Sequence, residues 1–213
     1  DAYFHTYFQG QGFVRVKMPD SCDIDLSEFE DIEGFVANLS SRNRRHVRKE
    51  ILAIEPLLKI ETLKTCNPNQ LEQIQELYNN VHQNNLGLNM FAFPKKLFDN
   101  MSAHPNWEFI TICEKAHPEK FIGVMLCYNN KDHTYVPAFI GMDYQYLEEF
   151  YTYRQLLYQT IKRAFDLNMK KIALGMTASF EKRKLGASVE EKYAYIQTSD
   201  NYTLELMGIL ETS

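Results

Sequence analysis

Between residues 153 and 167 the apolar side chains Tyr153, Leu156, Leu157, Ile161, Ala164 and Phe165 recur at helical spacing, which predicts a helix with one buried face. Behind it Ile172, Ala173 and Leu174 form a short unbroken apolar run, the pattern of a buried strand. A helix feeding a buried strand predicts a crossover unit. Upstream, residues 107–115, 121–129 and 133–143 are β-rich and are separated by turn signals at His117-Pro118 and at residues 129–132, which predicts three meandering strands. Residues 67–85 set Leu71, Ile74, Leu77, Tyr78 and Val81 on one face behind Pro68, a further amphipathic helix. An aromatic, Met-containing loop at 86–94 and a short helix at 95–101 follow. Residues 12–19, with Phe13, Val14 and Val16, read as an early strand, and residues 191–197 alternate so that Tyr193 and Tyr195 share a face.

Charge changes the picture at one place. The chain of 213 residues has a net charge of −5, yet residues 39–49 (LSSRNRRHVRK) gather Arg42, Arg44, Arg45, Arg48 and Lys49. At about 100° per residue Arg44, Arg45 and Arg48 share one helix face and Val47, Ile51 and Ile54 another, so the segment packs its apolar side and still presents a guanidinium row. Two readings stand side by side: a grip on the phosphates of coenzyme A or an RNA, or a solvated face offset by Glu28, Glu30, Asp31 and Glu33 just upstream.

Three meandering strands, a helix, a strand, a helix and a last strand is the element order of GNAT-type acyltransferases, which the chain resembles from Gly12 onward. Residues 182–187 (KRKLGA) look like the Lys-x-x-(Phe/Leu)-Gly-Ala turn of the branch that includes the cellulose-biosynthesis-associated acetyltransferases. Residues 39–49 resemble the basic helix that opens the second half of the Fem-type aminoacyltransferases. The resemblance implies an α/β (α+β) GNAT fold with a mixed, mostly antiparallel sheet flanked by helices. It further implies N-acyl transfer from acetyl-CoA or another acyl-CoA to a small-molecule or peptide amine, with no metal. The Fem-type likeness implies an alternative donor, an aminoacyl-tRNA. A non-catalytic GNAT-like binding domain of a larger fused protein is the opposing expectation.

In such enzymes two central strands part, the donor's pantetheine arm lies in the gap, and its pyrophosphate sits at the start of the next helix. Here the gap is expected beside residues 134–143, where Pro137 suits a splay point and Gly141 permits close approach of backbone or ligand. Residues 147–154 (LEEFYTYR) depart from the family, for they hold no glycine cradle and carry Glu148 and Glu149. Thr152 as helix cap and Arg154 as phosphate partner are the expected substitutes, with Gly141 and Lys184 completing the donor set. Many GNAT enzymes place a Tyr four residues before the glycine of the terminal turn; here that position is Lys182, suited to stabilising a thiolate or carboxylate. Tyr193 is the substitute phenol. Asp143 is the first choice of general base and Tyr135 the second, ahead of Glu108, Glu114 and His133.

Composition narrows what remains. With 45% hydrophobic, 13% aromatic and 24% charged residues the chain reads as an ordinary globular protein. No window approaches the roughly 18 apolar residues of a membrane span and no leader-like segment is present, so no membrane partner and a cytoplasmic setting are expected. Cys22, Cys66, Cys113 and Cys127 lack Cys-x-x-Cys spacing and are expected to be reduced structural thiols. A negative net charge opposes nucleic-acid binding other than to tRNA in the Fem-like alternative. Serine-triad, zinc and Walker motifs are absent. Because the chain opens with Asp1 and an aromatic run, residues 1–20 are expected to be an arm or the remnant of an upstream fused domain, with 21–213 the transferase domain; a processed end or a tag scar at Tyr7-Phe8-Gln9-Gly10 is the alternative.

Overall fold

A computed structural model describes residues 2–84 and 91–197. Helix α1 (Ala2–Gly10) leads into strand β1 (Val14–Asp25), then α2 (Ile32–Asn38) and α3 (Ser41–His46). Strand β2 (Leu58–Leu63), helices α4 (Pro68–Asn84) and α5 (Lys95–Ala103), and strands β3 (Trp107–Glu114), β4 (Phe121–Asn129) and β5 (Thr134–Met142) follow. Helix α6 (Thr152–Asp166), strand β6 (Lys171–Met176), helix α7 (Ser179–Lys184) and strand β7 (Ser188–Ile196) complete the described chain. The seven strands form one sheet in the order β2-β3-β4-β5-β6-β1-β7. Every neighbouring pair is antiparallel except β5 and β6, which are parallel because α6 carries the chain across between them.

Two apolar layers cover the sheet. On one face α6 presents Leu156, Leu157, Ile161 and Ala164, all buried, to Ile110, Ile122, Met125 and Ile172 of the strands. On the other, α4 and α5 pack Leu71, Ile74, Tyr78 and Phe98 against Phe109, Val124 and Leu126. Central strands β3 and β4 are therefore buried on both faces, which is why they read as continuous apolar runs and not as alternating ones. Helix α4 starts on a reciprocal cap: the Gln70 backbone N–H donates to Asn67 Oδ1 at 3.0 Å and the Asn67 N–H to Gln70 Oε1 at 2.9 Å.

The basic segment does pack as its periodicity predicts, with Val47 and Ile51 fully buried. After His46 it winds as a π-helix over Val47–Leu52, and the fully buried Gln155 of α6 donates to the Ile51 carbonyl at 2.7 Å. The expected carboxylate partners lie elsewhere. Arg44 donates to the Ala37 and Leu39 carbonyls and to Ser41 Oγ, while Asp31 caps α2 by accepting from the Gly34 N–H at 2.7 Å. Strand β1 pairs with β7 from Val14 onward, so a boundary at residue 20 falls inside a strand of the main sheet. The expected loop at 86–94 lies mostly outside the described residues, as does the chain after Gln197.

Candidate functional site

Strands β5 and β6 pair only at Thr134 with Lys171 and Tyr135 with Ile172, then part. Pro137 sits just past the last pair, opposite Cys127 at a register shift in the β4–β5 ladder, where its missing N–H costs no ladder bond. The opening is a cleft of about 310 Å³ walled by residues 137–140 and Met142 of β5, by Leu174 and Met176 of β6, and by Tyr153 and Leu157 of α6. It reaches Val81 and Asn84 of α4 on one side and Lys182 of α7 on the other. A second hollow of about 710 Å³ shares Met142, Tyr153 and Ala178 with it and lies over the start of α6, against Tyr151, Glu148 and Arg154.

That helix start is built unusually. Tyr151, its N-cap residue, is left-handed (φ 49°, ψ 43°), and no side chain caps the helix. The N-terminal end of fifteen residues of aligned peptide dipoles therefore lies beside the hollow with no side-chain cap, a favourable place for an anion. Across the cleft, Gly175, Thr177 and Ala178 all have positive φ (70°, 67° and 48°) where β6 turns into α7. A β-branched residue such as Thr177 is strained in that region and stays there only because its surroundings hold it.

Lys182 is what holds it. The side chain is buried, and Nζ donates to the carbonyls of Leu174 and Met176 at 2.8 Å each and of Gly175 at 3.4 Å. Burial pushes its pKa down, and the neighbouring Cys22 thiol opposes that shift. All three ammonium protons are committed to the backbone of the turn, so Lys182 fixes the cleft wall and brings a positive charge to it, without a free proton for a leaving group.

Beside the α6 start lies a basic hollow of about 740 Å³ between α3, the π-helical turn, α6 and α7. Arg42, Arg45, Lys49 and Arg183 line it with no acidic partner among the described residues. His46 also lines it, with Nδ1 2.8 Å from Glu50 and Nε2 buried without a partner. Arg154 and Lys184 face the same hollow but are paired. Arg154 Nε donates to Glu181 at 2.8 Å, another of its N–H groups reaches Glu50, and Lys184 Nζ stands 2.8 Å from Glu181. Burial raises the Glu181 pKa, and the bonds from Arg154 and Lys184 outweigh it, holding the carboxyl at about 2.

The remaining sequence-named residues lie apart from the cleft lining. Tyr135 is fully buried and donates to Glu108 Oε1 at 2.5 Å; Glu108, itself inaccessible, also takes Arg163 Nε and Nη2 at 3.0 Å each and Lys64 Nζ at 2.5 Å. Burial drives the Tyr135 phenol far up, away from use as a base near neutrality. Asp143 accepts from the Gln145 N–H at 3.1 Å and pairs with Lys120 at 3.2 Å, outside both hollows. Tyr193 is on the edge strand β7, donating to Glu191 at 2.8 Å beneath Arg15, whose guanidinium carbon is 3.4 Å from the ring centre. Thr152 is buried, and its hydroxyl donates to the Tyr146 carbonyl at 3.0 Å, so its part at the helix start is structural. Gly141 is covered by α4, since a Cβ there would stand 2.7 Å from the Tyr78 backbone nitrogen. The structure thus places Lys182 in the cleft lining, Lys184 in the basic hollow, and Arg154 between that hollow and the one over the α6 start. Glu50 and Arg183 complete the arrangement; Glu50 lies 104 residues from Arg154 in sequence, and no local pattern marks it as a partner.

No family model matches the sequence, and no curated protein matches it. The fold has clear relatives among solved structures. L-PGS from Bacillus licheniformis superposes with a TM-score of 0.66 at 10% identity, over 95% of this chain and 68% of that one. FemX gives 0.61 at 10% identity, over 96% and 70%. A GCN5-related N-acetyltransferase from Sphaerobacter thermophilus gives 0.53 at 10% identity, over 92% and 55%. The chain has the GNAT fold. In its fold it resembles the Fem-type transferase FemX, and the parting of β5 and β6 is the gap expected of that class. Among the described residues no helix is long and apolar enough to cross a membrane, and no group of His, Cys, Asp and Glu is arranged to hold a metal.

Proposed function

We propose that the chain is an N-acyltransferase that moves an acyl group from a phosphate-bearing carrier to an amine. The observation that carries this reading is the continuous path from the uncapped start of α6 into the cleft between β5 and β6. Beyond Tyr135 the cleft-facing backbone of β5 has no partner in β6, leaving main-chain groups for a pantetheine-like arm and an N–H for the carbonyl oxygen as it gains charge. Phosphates would rest on the α6 amides, with Arg45, Lys49 and Arg183 in reach of a longer polyanion. Lys182 positions the turn that forms one wall. Acetyl-CoA or another acyl-CoA is the donor in this reading.

A second reading has its own support. Glu148 and the paired Arg154 make the α6 hollow a modest pyrophosphate site, whereas the basic hollow beside it holds unpaired cations. The TM-scores to L-PGS and FemX also exceed that to the GCN5-related enzyme. Both features favour an aminoacyl-tRNA donor. Calorimetric titration of acetyl-CoA, and filter binding of aminoacylated tRNA across a salt series, test the two. Saturable binding of acetyl-CoA supports the first reading. tRNA binding that falls steeply with salt, with none of acetyl-CoA, supports the second. Binding of neither defeats transferase activity and leaves a docking domain.

A further inference from the structure

We propose that the acceptor is a primary amine on an uncharged, apolar body, and that polyamines and aminoglycoside-like polycations are poor substrates; this rests on the acyl-transfer reading above. Among the described residues lining the cleft between β5 and β6, Lys182 is the only charged one, and none is a carboxylate or a histidine. Cationic substrates need acidic walls, because an ammonium taken from water without a counter-charge loses its hydration and gains nothing for it. Here the sole charge repels it. Val81, Ala138, Phe139 and Ile140 give the cleft its apolar surface, and the polar side chains beside them, Asn84, Tyr144 and Thr177, are neutral.

The apolar wall continues outward from Phe139. Its ring stacks on Trp107 (centroids 6.3 Å apart, planes at 18°) and meets Phe93 edge-on at 5.3 Å. Phe93 in turn meets Phe91 at 5.6 Å, and Phe91 is 75% exposed. A row of rings leading from solvent to the cleft suits an alkyl or aryl body whose amino group arrives last.

The same lining supplies a chemical reason. An ordinary alkylamine near pH 7 is neutral in roughly one molecule in 2,500, yet only the neutral form attacks. The nearby Lys182 cation, with no carboxylate in the described lining to offset it, disfavours the ammonium, so the site selects the nucleophilic form without a carboxylate base. With a thioester donor, the nitrogen lone pair forms a C–N bond to the acyl carbon and the C–S bond breaks with its electron pair on sulfur. The proton lost from nitrogen ends on that sulfur, leaving an amide and a free thiol.

The test uses n-octylamine and phenethylamine against spermidine and kanamycin. Binding is followed by thermal shift without donor, and transfer by thiol release from acetyl-CoA. The expected result is at least a tenfold higher kcat/KM for octylamine than for spermidine. Ala138→Asp, at an exposed position on the cleft wall, should shrink or invert that ratio. Phe139→Leu, which keeps the core apolar, should lower the octylamine value by a larger factor than the spermidine value. Equal or better use of spermidine, or an Ala138→Asp ratio like the parent's, overturns the proposal. Octylamine binding that weakens in Ala138→Asp, with no thiol released by any amine, would sustain the apolar amine site and defeat the acyl-transfer reading. Thiol release that no apolar amine accelerates would defeat the site and sustain transfer.

Discussion

Glu108 shows what one residue contributes. Its carboxylate is fully buried between β3 and α6, and it gathers Tyr135, Arg163 and Lys64. Burial raises its pKa, and the bonds from Arg163, Lys64 and Tyr135 outweigh that, so the net shift is downward. Glu108→Ala, which leaves Arg163 partly buried without its counter-charge, should cost about 3–5 kcal/mol in a denaturant titration. Tyr135→Phe should cost less, about 1.5–3 kcal/mol, the size of one bond to a charged group, and should leave donor binding intact. A large loss of donor affinity in Tyr135→Phe would return Tyr135 to the site. Glu181 sets an acid limit as well. Its folded pKa of about 2 lies below its ordinary 4.5, so it contributes stability that is full above pH 4.5 and lost as pH falls toward 2. Glu181→Gln should flatten the melting-temperature profile across that window.

At the scale of elements, the decisive contacts join segments distant in sequence. Arg154 of α6 is held by Glu50 of the π-helical turn and Glu181 of α7, which fixes the helices around the basic hollow. Arg154→Ala should therefore lower stability more than donor affinity. The double variant Arg45→Glu/Arg183→Glu should leave the melting temperature near the parent's and weaken donor binding tenfold or more, with a shallower salt dependence. Gly141→Ala is the packing counterpart. The new methyl meets α4 backbone and not a flexible side chain, so the sheet and α4 must separate, at about 1–3 kcal/mol by chemical denaturation. Element order and the packing of the basic segment are legible in the sequence because they follow from periodicity, whereas the parted strands are what the GNAT resemblance implies, with Pro137 suited to the splay point. The roles of Tyr135, Thr152 and Gly141 are not legible, because each depends on what crosses from another element: Glu108, the Tyr146 carbonyl and α4. Lys182 is legible as a residue of interest, but its three carbonyl partners appear only once the turn is folded.

For the whole molecule, a sheet whose described strands are paired throughout except where β5 and β6 part places the cleft between an uncapped helix start and a ring-lined face. Charge is unevenly spread around it, with unpaired cations in the basic hollow beside α6 and Lys182 the one charged residue among the described cleft lining. Lys182 also makes stability depend on pH in the basic range. Its folded pKa lies below its ordinary 10.5, so the unfolded chain binds the proton more readily and stability should rise with pH between the two values. Lys182→Met should remove that rise while freeing the Leu174, Gly175 and Met176 carbonyls, which loosens the turn. The most direct test of the account is hydrogen–deuterium exchange with and without acetyl-CoA. The account predicts slowed exchange at residues 138–142 of β5 and at 152–154 of α6, with β2 and β7 unchanged. Slowing confined to other elements, with β5 and the α6 start exchanging as in the free chain, would contradict it.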